Sequence, residues 1–139
     1  MTGHEFFDKL NKDTMNLVDD FYAPDAILVD PVGEHKGSAA IKAYYTHQYA
    51  NVKSIRWEFK PDIKDKDNEV LRWTMFVSHP NIEGGKEIKV DGASVIEFKD
   101  GKAVYHRDYF DMGEFVYERV PVLGFIVSKI KNMLKAPTP

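Results

Sequence analysis

The sequence predicts an α+β fold, because helical spacing of apolar residues near the N-terminus gives way to a long stretch of two-residue alternation. Before residue 22 and again over residues 38–52, apolar residues recur every three or four positions, as on the buried side of a helix. From residue 55 to residue 111 they mostly alternate with polar residues, as in half-buried strands. Helices followed by consecutive strands indicate helices packed on one face of an antiparallel sheet. At 139 residues the chain has the size of a single domain, 1–139, with a hydrophobic core.

The first 52 residues contain local signals for the ends of these elements. Thr2 and Glu5 have the spacing of a helix capping box. Pro24 ends the helical segment, since proline disfavours the α conformation in the residue before it, and Pro31 ends the strand that follows. Asp30 is therefore expected at the end of a strand. The predicted elements are one or two helices before residue 22, a strand over 26–30, a loop over 33–37 and a helix over 38–52.

The second half is predicted to be a meander of four strands followed by a helical segment. Asp100 and Gly101, between two alternating stretches, are a strong signal for a tight β-turn. Pro121 and Gly124 are expected to bend or split the last helix, and residues 136–139 are expected to fray. The predicted elements are strands over 55–59, 69–79, 87–98 and 103–111 and a helical segment over 114–134.

Composition and charge exclude several classes of protein. The chain has no cysteine, which excludes disulfides, thiolate metal sites and a cysteine nucleophile. Its 19 Lys+Arg and 22 Asp+Glu give a net charge of −3 without a basic cluster, so no nucleic-acid partner is expected. The histidines lack metal-ligand spacing and no glycine-rich phosphate loop follows a strand, so neither a metal nor a cofactor is expected. The N-terminus lacks a secretion signal, and the longest apolar run, residues 120–127, is too short to cross a bilayer. A cytoplasmic location is therefore expected.

Two motifs place acidic residues where chemistry can occur. Residues 22–33 (YAPDAILVDPVG) carry Asp30 directly before a proline, and residues 107–111 (RDYFD) carry Asp108 shortly after the predicted turn. The first resembles the ketosteroid isomerase segment in which the Asp before Pro is the general base. The second resembles the limonene-epoxide hydrolase segment whose first Asp belongs to an Asp-Arg-Asp catalytic group. The motifs and the order of elements are together similar to the nuclear transport factor 2-like superfamily, which also includes SnoaL-like polyketide cyclases.

This resemblance covers residues 4 to about 116 and implies a particular architecture. In these families N-terminal helices close a curved, mainly antiparallel sheet into a cone that encloses a pocket. The segment from about residue 112 would be a C-terminal helical extension. A homodimer is expected, because the outer sheet face of the superfamily usually pairs and a chain of this length is marginal for covering both faces of a long sheet.

The resemblance implies three catalytic residues: Asp30, Asp108 and Arg72. Asp30 matches the isomerase base, while Asp108 and Arg72 match two members of the hydrolase group. An acid inside the cone needs a partner, because an unpaired buried charge is costly, and we expect Arg72 on a neighbouring strand to pair with Asp108.

Neither catalytic set is complete. Phe6 and Ser94 occupy the positions of the Tyr and the protonated Asp that hold the enolate in ketosteroid isomerases, so the strong oxyanion donors are missing. Thr74 stands where the hydrolases have their second acid, and Leu28 and Asp30 replace the Tyr and Asn that hold water. The residues expected to line the pocket and contact a ligand are His106, Phe110, Ser94, Thr74, Phe6 and Trp57.

Three functions are compatible with this pattern. The first is a cofactor-independent isomerase, hydrolase or cyclase for a small apolar substrate, with acid–base chemistry by Asp30 and Asp108 and with Arg72 as their partner. The second is a non-catalytic small-molecule carrier or sensor. The third is a dimerisation module. Only the enzyme explains why two acids and an arginine should converge inside the fold.

The segment after residue 112 is apolar and basic, with Arg119, Lys129, Lys131 and Lys135 against Glu114 and Glu118. It is expected to cover the mouth of the pocket, to pack on a second subunit, or to lie on a membrane surface. Packing is the favoured interpretation.

Overall fold

A curved, open sheet with helices on its concave side forms the body of the protein, and the predicted α+β cone is confirmed. The computed structural model describes residues 1–136. Within them seven strands pair in the order β2-β1-β7-β6-β5-β3, with β4 beside β5. The strands are β1 (Tyr22–Asp30), β2 (Gly33–Lys36), β3 (Ser54–Phe59), β4 (Ile63–Lys64), β5 (Asn68–Ser78), β6 (Ile88–Lys99) and β7 (Lys102–Phe110). The helices are α1 (Gly3–Lys9), α2 (Leu17–Phe21), α3 (Ser38–Asn51), α4 (Met112–Phe115) and α5 (Pro121–Leu134), with 3₁₀ turns at Glu83–Gly85 and Tyr117–Arg119.

The predicted capping box begins α1. The Thr2 hydroxyl accepts a hydrogen bond from the Glu5 backbone N–H, and the Glu5 carboxylate accepts one from the Thr2 backbone N–H. Each of these bonds satisfies a backbone donor that the first helical turn leaves without a partner.

The loop predicted over 33–37 is wrong, since most of it is strand β2, which pairs with β1. The reason is local. The Asp30 carboxylate accepts hydrogen bonds from the backbone N–H groups of Val32 and Gly33 at 2.9 and 3.0 Å. These bonds turn the chain directly after Pro31, and residues 33–36 then run back along β1.

The meander of four strands is confirmed. Strands β3, β5, β6 and β7 pair antiparallel with their neighbours. Asp100 and Gly101 both adopt positive φ, 52° and 79°, as the tight turn between β6 and β7 requires. Strand β1 then joins the far side of β7 in parallel, which brings the N-terminal half of the chain beside the end of the meander.

The core lies between the sheet and the helices. Alternate residues of β5 point into it, and α1 to α3 contribute phenylalanine and tyrosine rings. Gly92 on β6 lies opposite Trp73, and a Cβ there would come within 2.3 Å of the indole. The absence of a side chain at this position therefore lets the indole lie flat against the sheet.

The C-terminal segment divides before Pro121, as the sequence predicts, but α5 continues through Gly124 without a break. Pro121 is the first residue of α5, a position that proline favours. The 3₁₀ turn Tyr117–Arg119 separates α5 from α4. Among the described elements, α5 packs mainly on this turn. No helix of residues 1–136 is both long enough and apolar enough to cross a bilayer. The predicted fraying concerns residues 136–139, of which 137–139 lie outside the described part.

Candidate functional site

Asp30 and Asp108 lie side by side at the ends of two neighbouring strands. The parallel register of β1 and β7 pairs Val29 with Arg107, so the next residue of each strand is one of the two acids. Both acids line a small, partly closed cavity of about 60 Å³ between α3 and the sheet, and both also line an open cleft on the outside. The structure thus brings together two of the three predicted catalytic residues.

One oxygen of Asp108 is held by two hydrogen bonds. Its Oδ1 accepts a bond from the Ser94 hydroxyl at 2.5 Å and lies 2.6 Å from Nε2 of His106. Ser94 is opposite Asp108 in the antiparallel register of β6 and β7, and its oxygen accepts a bond from the Trp73 indole N–H at 2.9 Å. Within residues 1–136 no hydrogen bond reaches Oδ2, and the Asp108 side chain is 16% exposed.

Behind Asp108 a chain of hydrogen bonds runs into the core. The Tyr22 hydroxyl lies 2.7 Å from Nδ1 of His106 and 3.0 Å from the Tyr45 hydroxyl. Burial raises the pKa of Tyr22 and of Tyr45 well above the ordinary range, so both phenols stay neutral. With Asp108 ionised, the Nε2–H group of His106 donates a hydrogen bond to Asp108. The Tyr22 hydroxyl then donates to Nδ1 of His106, and the Tyr45 hydroxyl donates to the Tyr22 oxygen. This arrangement fixes the tautomer of His106 and the orientation of the carboxylate.

Asp30 has a different environment, in which both oxygens have partners. Its Oδ1 accepts the two backbone bonds of the β1–β2 turn, and its Oδ2 accepts a hydrogen bond from the Tyr44 hydroxyl. Tyr44 accepts in turn from Nε2 of Gln48 at 2.8 Å. Burial, and then the bond to Asp30, raise the pKa of Tyr44 far above its ordinary value, so Tyr44 stays a donor.

Tyr49 is a site residue for which the sequence predicted no polar role. It is 7% exposed and lines the cavity, and its hydroxyl has no hydrogen-bond partner among the described residues. Burial raises the pKa of Tyr49 to about 12, and the nearby Trp57 indole acts in the opposite direction. Because this hydroxyl donates to no described residue, it is available to donate a hydrogen bond to a ligand. Such a bond would remove the cost of burying a hydroxyl without a partner.

The rest of the cavity wall is apolar and aromatic. Trp57 and Phe110, both predicted to line the pocket, do so together with Trp73 and Phe115. A second cavity of about 250 Å³ lies next to the first, between α3 and strands β3 and β5. Phe115 on α4 and Tyr49 line both cavities. The inner cavity has room for a few water molecules, so an organic ligand would also need the outer one.

The prediction that Arg72 pairs with Asp108 is wrong. Arg72 points to the outer face of the sheet, because the residues before and after it on β5 point into the core. There its guanidinium donates to the Pro61 carbonyl at 3.0 Å. Thr74 lies on the same outer face and donates to Asp91 at 2.6 Å, so it does not line the pocket either.

Three other predicted pocket residues are buried away from the cavity surface. Phe6 is fully buried in the core and stacks on Phe21 at a centroid distance of 4.4 Å, whereas its neighbour Phe7 lines the cavity. Ser94 is also fully buried, and its hydroxyl holds Asp108. His106 is fully buried as well and acts behind the carboxylate.

A family model described as SnoaL-like domain matches residues 4–106, which is most of the chain. The chain belongs to the SnoaL-like domain family. The match ends before the last residues of β7, so Asp108, Phe110 and the helices α4 and α5 of this SnoaL-like domain lie beyond it. A search of curated proteins finds no match.

Solved structures share the fold at low sequence identity. An NTF2-like protein of unknown function from Burkholderia pseudomallei is 21% identical, with a TM-score of 0.66 over 75% of this chain and 83% of that one. A SnoaL-like polyketide cyclase from Agrobacterium tumefaciens is 14% identical, with a TM-score of 0.69 over 81% and 90%. A protein with a ketosteroid isomerase-like fold from Catenulispora acidiphila, in complex with trimethylamine, is 14% identical, with a TM-score of 0.69 over 83% and 85%.

Within the described residues, no three His, Cys, Asp or Glu side chains are grouped closely enough to hold a metal ion. The titratable groups that line the cavity are two carboxylates and three tyrosines, and His106 lies behind Asp108. Such a set can move protons between a substrate and the protein.

Proposed function

We propose that this SnoaL-like domain is a cofactor-independent acid–base enzyme for a small apolar substrate, with Asp108 as the general base. The observation that carries the proposal is the asymmetry of the Asp108 carboxylate. Its Oδ1 is fixed by Ser94 and His106, while Oδ2 has no partner within residues 1–136 and the residue lines the cavity. A base needs an oriented carboxylate with a free oxygen, and Asp108 has both.

The proposed step is a proton transfer. The substrate's C–H, or a water molecule held against the substrate, gives its proton to Oδ2 of Asp108. Where a C–H is cleaved beside a carbonyl, the electron pair moves onto the carbonyl oxygen. Tyr49 then donates a hydrogen bond to that oxygen. Return of the proton from Asp108 to another carbon of the substrate completes an isomerisation. In a cyclisation the enolate carbon instead forms a bond to a second carbonyl carbon, whose C=O π electrons move onto its oxygen, and this oxygen takes the proton from Asp108.

Asp30 is assigned a positioning role. The Asp30 carboxylate already accepts bonds from two backbone N–H groups and from Tyr44, which occupy three of its about four lone-pair sites, whereas Oδ2 of Asp108 has no partner within residues 1–136. Asp30 instead holds the β1–β2 turn and orients Tyr44 at the cavity.

The substrate class follows from the walls. Trp57, Trp73, Phe110 and Phe115 give the cavity apolar surfaces that suit a cyclic or aromatic molecule. The polyketide cyclase among the similar structures is consistent with this class at the level of the fold.

A generic carbon acid tests the base without knowledge of the natural substrate. In a nitro-substituted benzisoxazole a base removes the ring C–H proton and the N–O bond breaks, which releases a coloured nitrophenolate. We expect Asp108→Asn to lower the rate constant by about 10²- to 10⁴-fold. Asp30→Asn is the matched control with the same chemical change at the same cavity, and we expect a loss below about tenfold. Equal rates for wild type and Asp108→Asn would contradict the proposal.

The small inner cavity supports a second candidate, a ligand-binding protein without turnover. At about 60 Å³ the space beside Asp108 does not hold an organic molecule unless Phe115 or another wall residue moves. If an apolar dye binds wild type and Asp108→Asn with equal affinity and no carbon acid is turned over, the protein is a carrier.

A further inference from the structure

Helix α5 turns its apolar side away from the rest of the protein. Seven large apolar residues of α5 are 39–83% exposed, and at 100° per residue six of them fall on one side of the helix. Exposed apolar surface of this extent on one element is unusual in a protein that acts alone. The six are Val122, Leu123, Ile126, Ile130, Met133 and Leu134; they are called the outer face of α5 below.

The opposite side of α5 holds the helix to the body. Gly124 is the buried residue of α5, and a Cβ on it would come within 2.4 Å of the Glu118 carbonyl oxygen. One heptad later, Lys131 donates to the Glu118 carboxylate at 2.6 Å. The Arg119 guanidinium lies 3.5 Å from a Glu83 carboxylate oxygen. This ion pair connects the 3₁₀ turn Tyr117–Arg119 to the loop before β6. The outer face is therefore exposed because the other side of the helix is the anchored one.

The charge of this segment is one-sided. Residues 119–139 contain four basic residues and no acidic one, a net charge of +4. Residues 1–118 contain the other 15 basic residues and all 22 acidic ones, a net charge of 15 − 22 = −7. Lys129 and Lys135 are exposed and flank the apolar stripe, where long side chains can reach past an apolar surface to a polar one.

Neither an apolar surface on the body of the protein nor the α5 helix of a second copy is a suitable partner for the outer face of α5. Outside residues 117–134, the exposed large apolar side chains of the described chain are Met1, Val32, Ile63 and Tyr109, and they lie on separate elements. Two α5 helices packed face to face would bring lysines of both copies together without an acidic partner on either helix.

We propose that α5 docks on the surface of an anionic lipid bilayer. The outer face enters the boundary between headgroups and acyl chains, and the lysines contact anionic headgroups. With its outer face in the bilayer, α5 lies parallel to the membrane surface and holds the body on its opposite side. A helix with its side chains is about 10–12 Å across, which exceeds the Debye length of about 8 Å at physiological salt, so repulsion between the acidic body and the headgroups is largely screened. The inference does not depend on the acids of the cavity.

Vesicle binding tests the proposal. The full-length protein is mixed with phosphatidylcholine vesicles with and without phosphatidylserine, and bound protein is measured by flotation. We expect binding only with phosphatidylserine. Ile126→Gln/Ile130→Gln, which keeps the charge, should lower the partition coefficient by about tenfold or more. Ser128→Gln/Asn132→Gln, on the polar side of the same helix, is the matched control and should bind like wild type.

The lysines give an independent readout. Lys129→Gln/Lys135→Gln should lower the partition coefficient by about 30-fold, or about fivefold per lysine, and the loss should shrink as salt is raised. All variants should unfold at the wild-type temperature, because the changed side chains are exposed. The proposal is overturned if wild type binds neither kind of vesicle, or if the Ile126/Ile130 variant binds like wild type. A dimer by light scattering that this variant converts to a monomer, without vesicle binding by wild type, would instead assign the outer face to a second copy of the chain.

Discussion

Asp30 and Asp108 show how two identical carboxylates on adjacent strands acquire different roles. The turn after β1 supplies two backbone N–H groups to Asp30, and Tyr44 supplies a third donor. Asp108, near the end of β7, is still paired with Ser94 in the β6–β7 ladder, where the sheet already uses the backbone N–H groups, so only side chains reach it. Within the described residues, Asp108 therefore has one carboxylate oxygen without a hydrogen-bond partner and Asp30 has none, because the two residues lie at different positions along their strands.

The Tyr49 hydroxyl is the donor that the sequence did not identify. We expect Tyr49→Phe to lower the turnover of a carbonyl substrate by about 100-fold, since the negative charge on the substrate oxygen loses its hydrogen bond. The same change should leave the free energy of unfolding equal or raise it by about 1 kcal/mol, because it removes a buried hydroxyl that has no partner. Because the pKa of Tyr49 is about 12, the activity should show no loss from its ionisation near neutral pH.

Steady-state kinetics and thermal unfolding of the same variant check both parts. Tyr45→Phe, one turn earlier on α3, is the comparison for stability, because its hydroxyl is bonded to Tyr22 and its loss should cost about 1 kcal/mol. If Tyr49→Phe lost stability and kept full activity, its hydroxyl would be a structural group.

At the scale of elements, a single buried acid connects helix α1 to the sheet. Glu69 on β5 is 1% exposed, and its Oε1 accepts a hydrogen bond from the Gly3 backbone N–H at 2.6 Å. The other carboxylate oxygen, Oε2, and Oδ1 of Asp62 have no hydrogen-bond partner in the described chain. Burial is the main cause that raises the pKa of Glu69 above its ordinary value of 4.5, and Asp62 adds to it.

This pKa shift predicts that the protein loses stability as the pH rises. The folded state holds the Glu69 proton more tightly than the unfolded state, so the contribution is fully present below about pH 4.5 and is lost as the pH rises through the folded pKa. Glu69→Gln should remove this slope and raise the free energy of unfolding at neutral pH by about 1 kcal/mol, since the amide can still accept from Gly3 and can donate to Asp62.

Urea unfolding at a series of pH values measures the slope. Glu97→Gln, an exposed glutamate on β6, makes the same chemical change without burial and should leave the slope as in wild type. A slope that Glu69→Gln leaves unchanged would assign the pH dependence to another group.

The order of elements could be predicted from the sequence because periodicity and turn residues are local signals. Two-residue alternation along a strand also contradicts the predicted pairing of Arg72 with Asp108. If Leu71 and Trp73 face the core, period two places Arg72 on the outer face of the sheet. The resemblance to a catalytic group outweighed that rule in the prediction. The contact of Asp108 with Ser94 depends on strand register across the sheet, which a single sequence does not give. His106 lies two residues before Asp108 on the same strand, so period two does place the two side chains on one face.

At the scale of the whole molecule, the C-terminal segment contributes one aromatic ring to the walls of both cavities. Phe115 on α4 packs near Phe110 at a centroid distance of 5.9 Å and lines both the inner and the outer cavity. The residues beyond it leave the cone and form α5. One short segment therefore ends the pocket and begins the exposed helix.

Removing the Phe115 ring should join the two cavities, of about 60 and 250 Å³. We expect Phe115→Ala to increase the affinity for an uncharged apolar fluorescent dye such as N-phenyl-1-naphthylamine by about tenfold, because the ring no longer has to move before the dye can bind. The half-buried ring should cost about 1–2 kcal/mol of stability, below the full cost of a core phenylalanine. Phe125→Ala, an exposed phenylalanine on α5, is the matched control and should leave dye affinity unchanged. If both variants bind the dye like wild type, Phe115 does not separate the cavities in solution, and access to Asp108 must come through the open cleft beside Asp30.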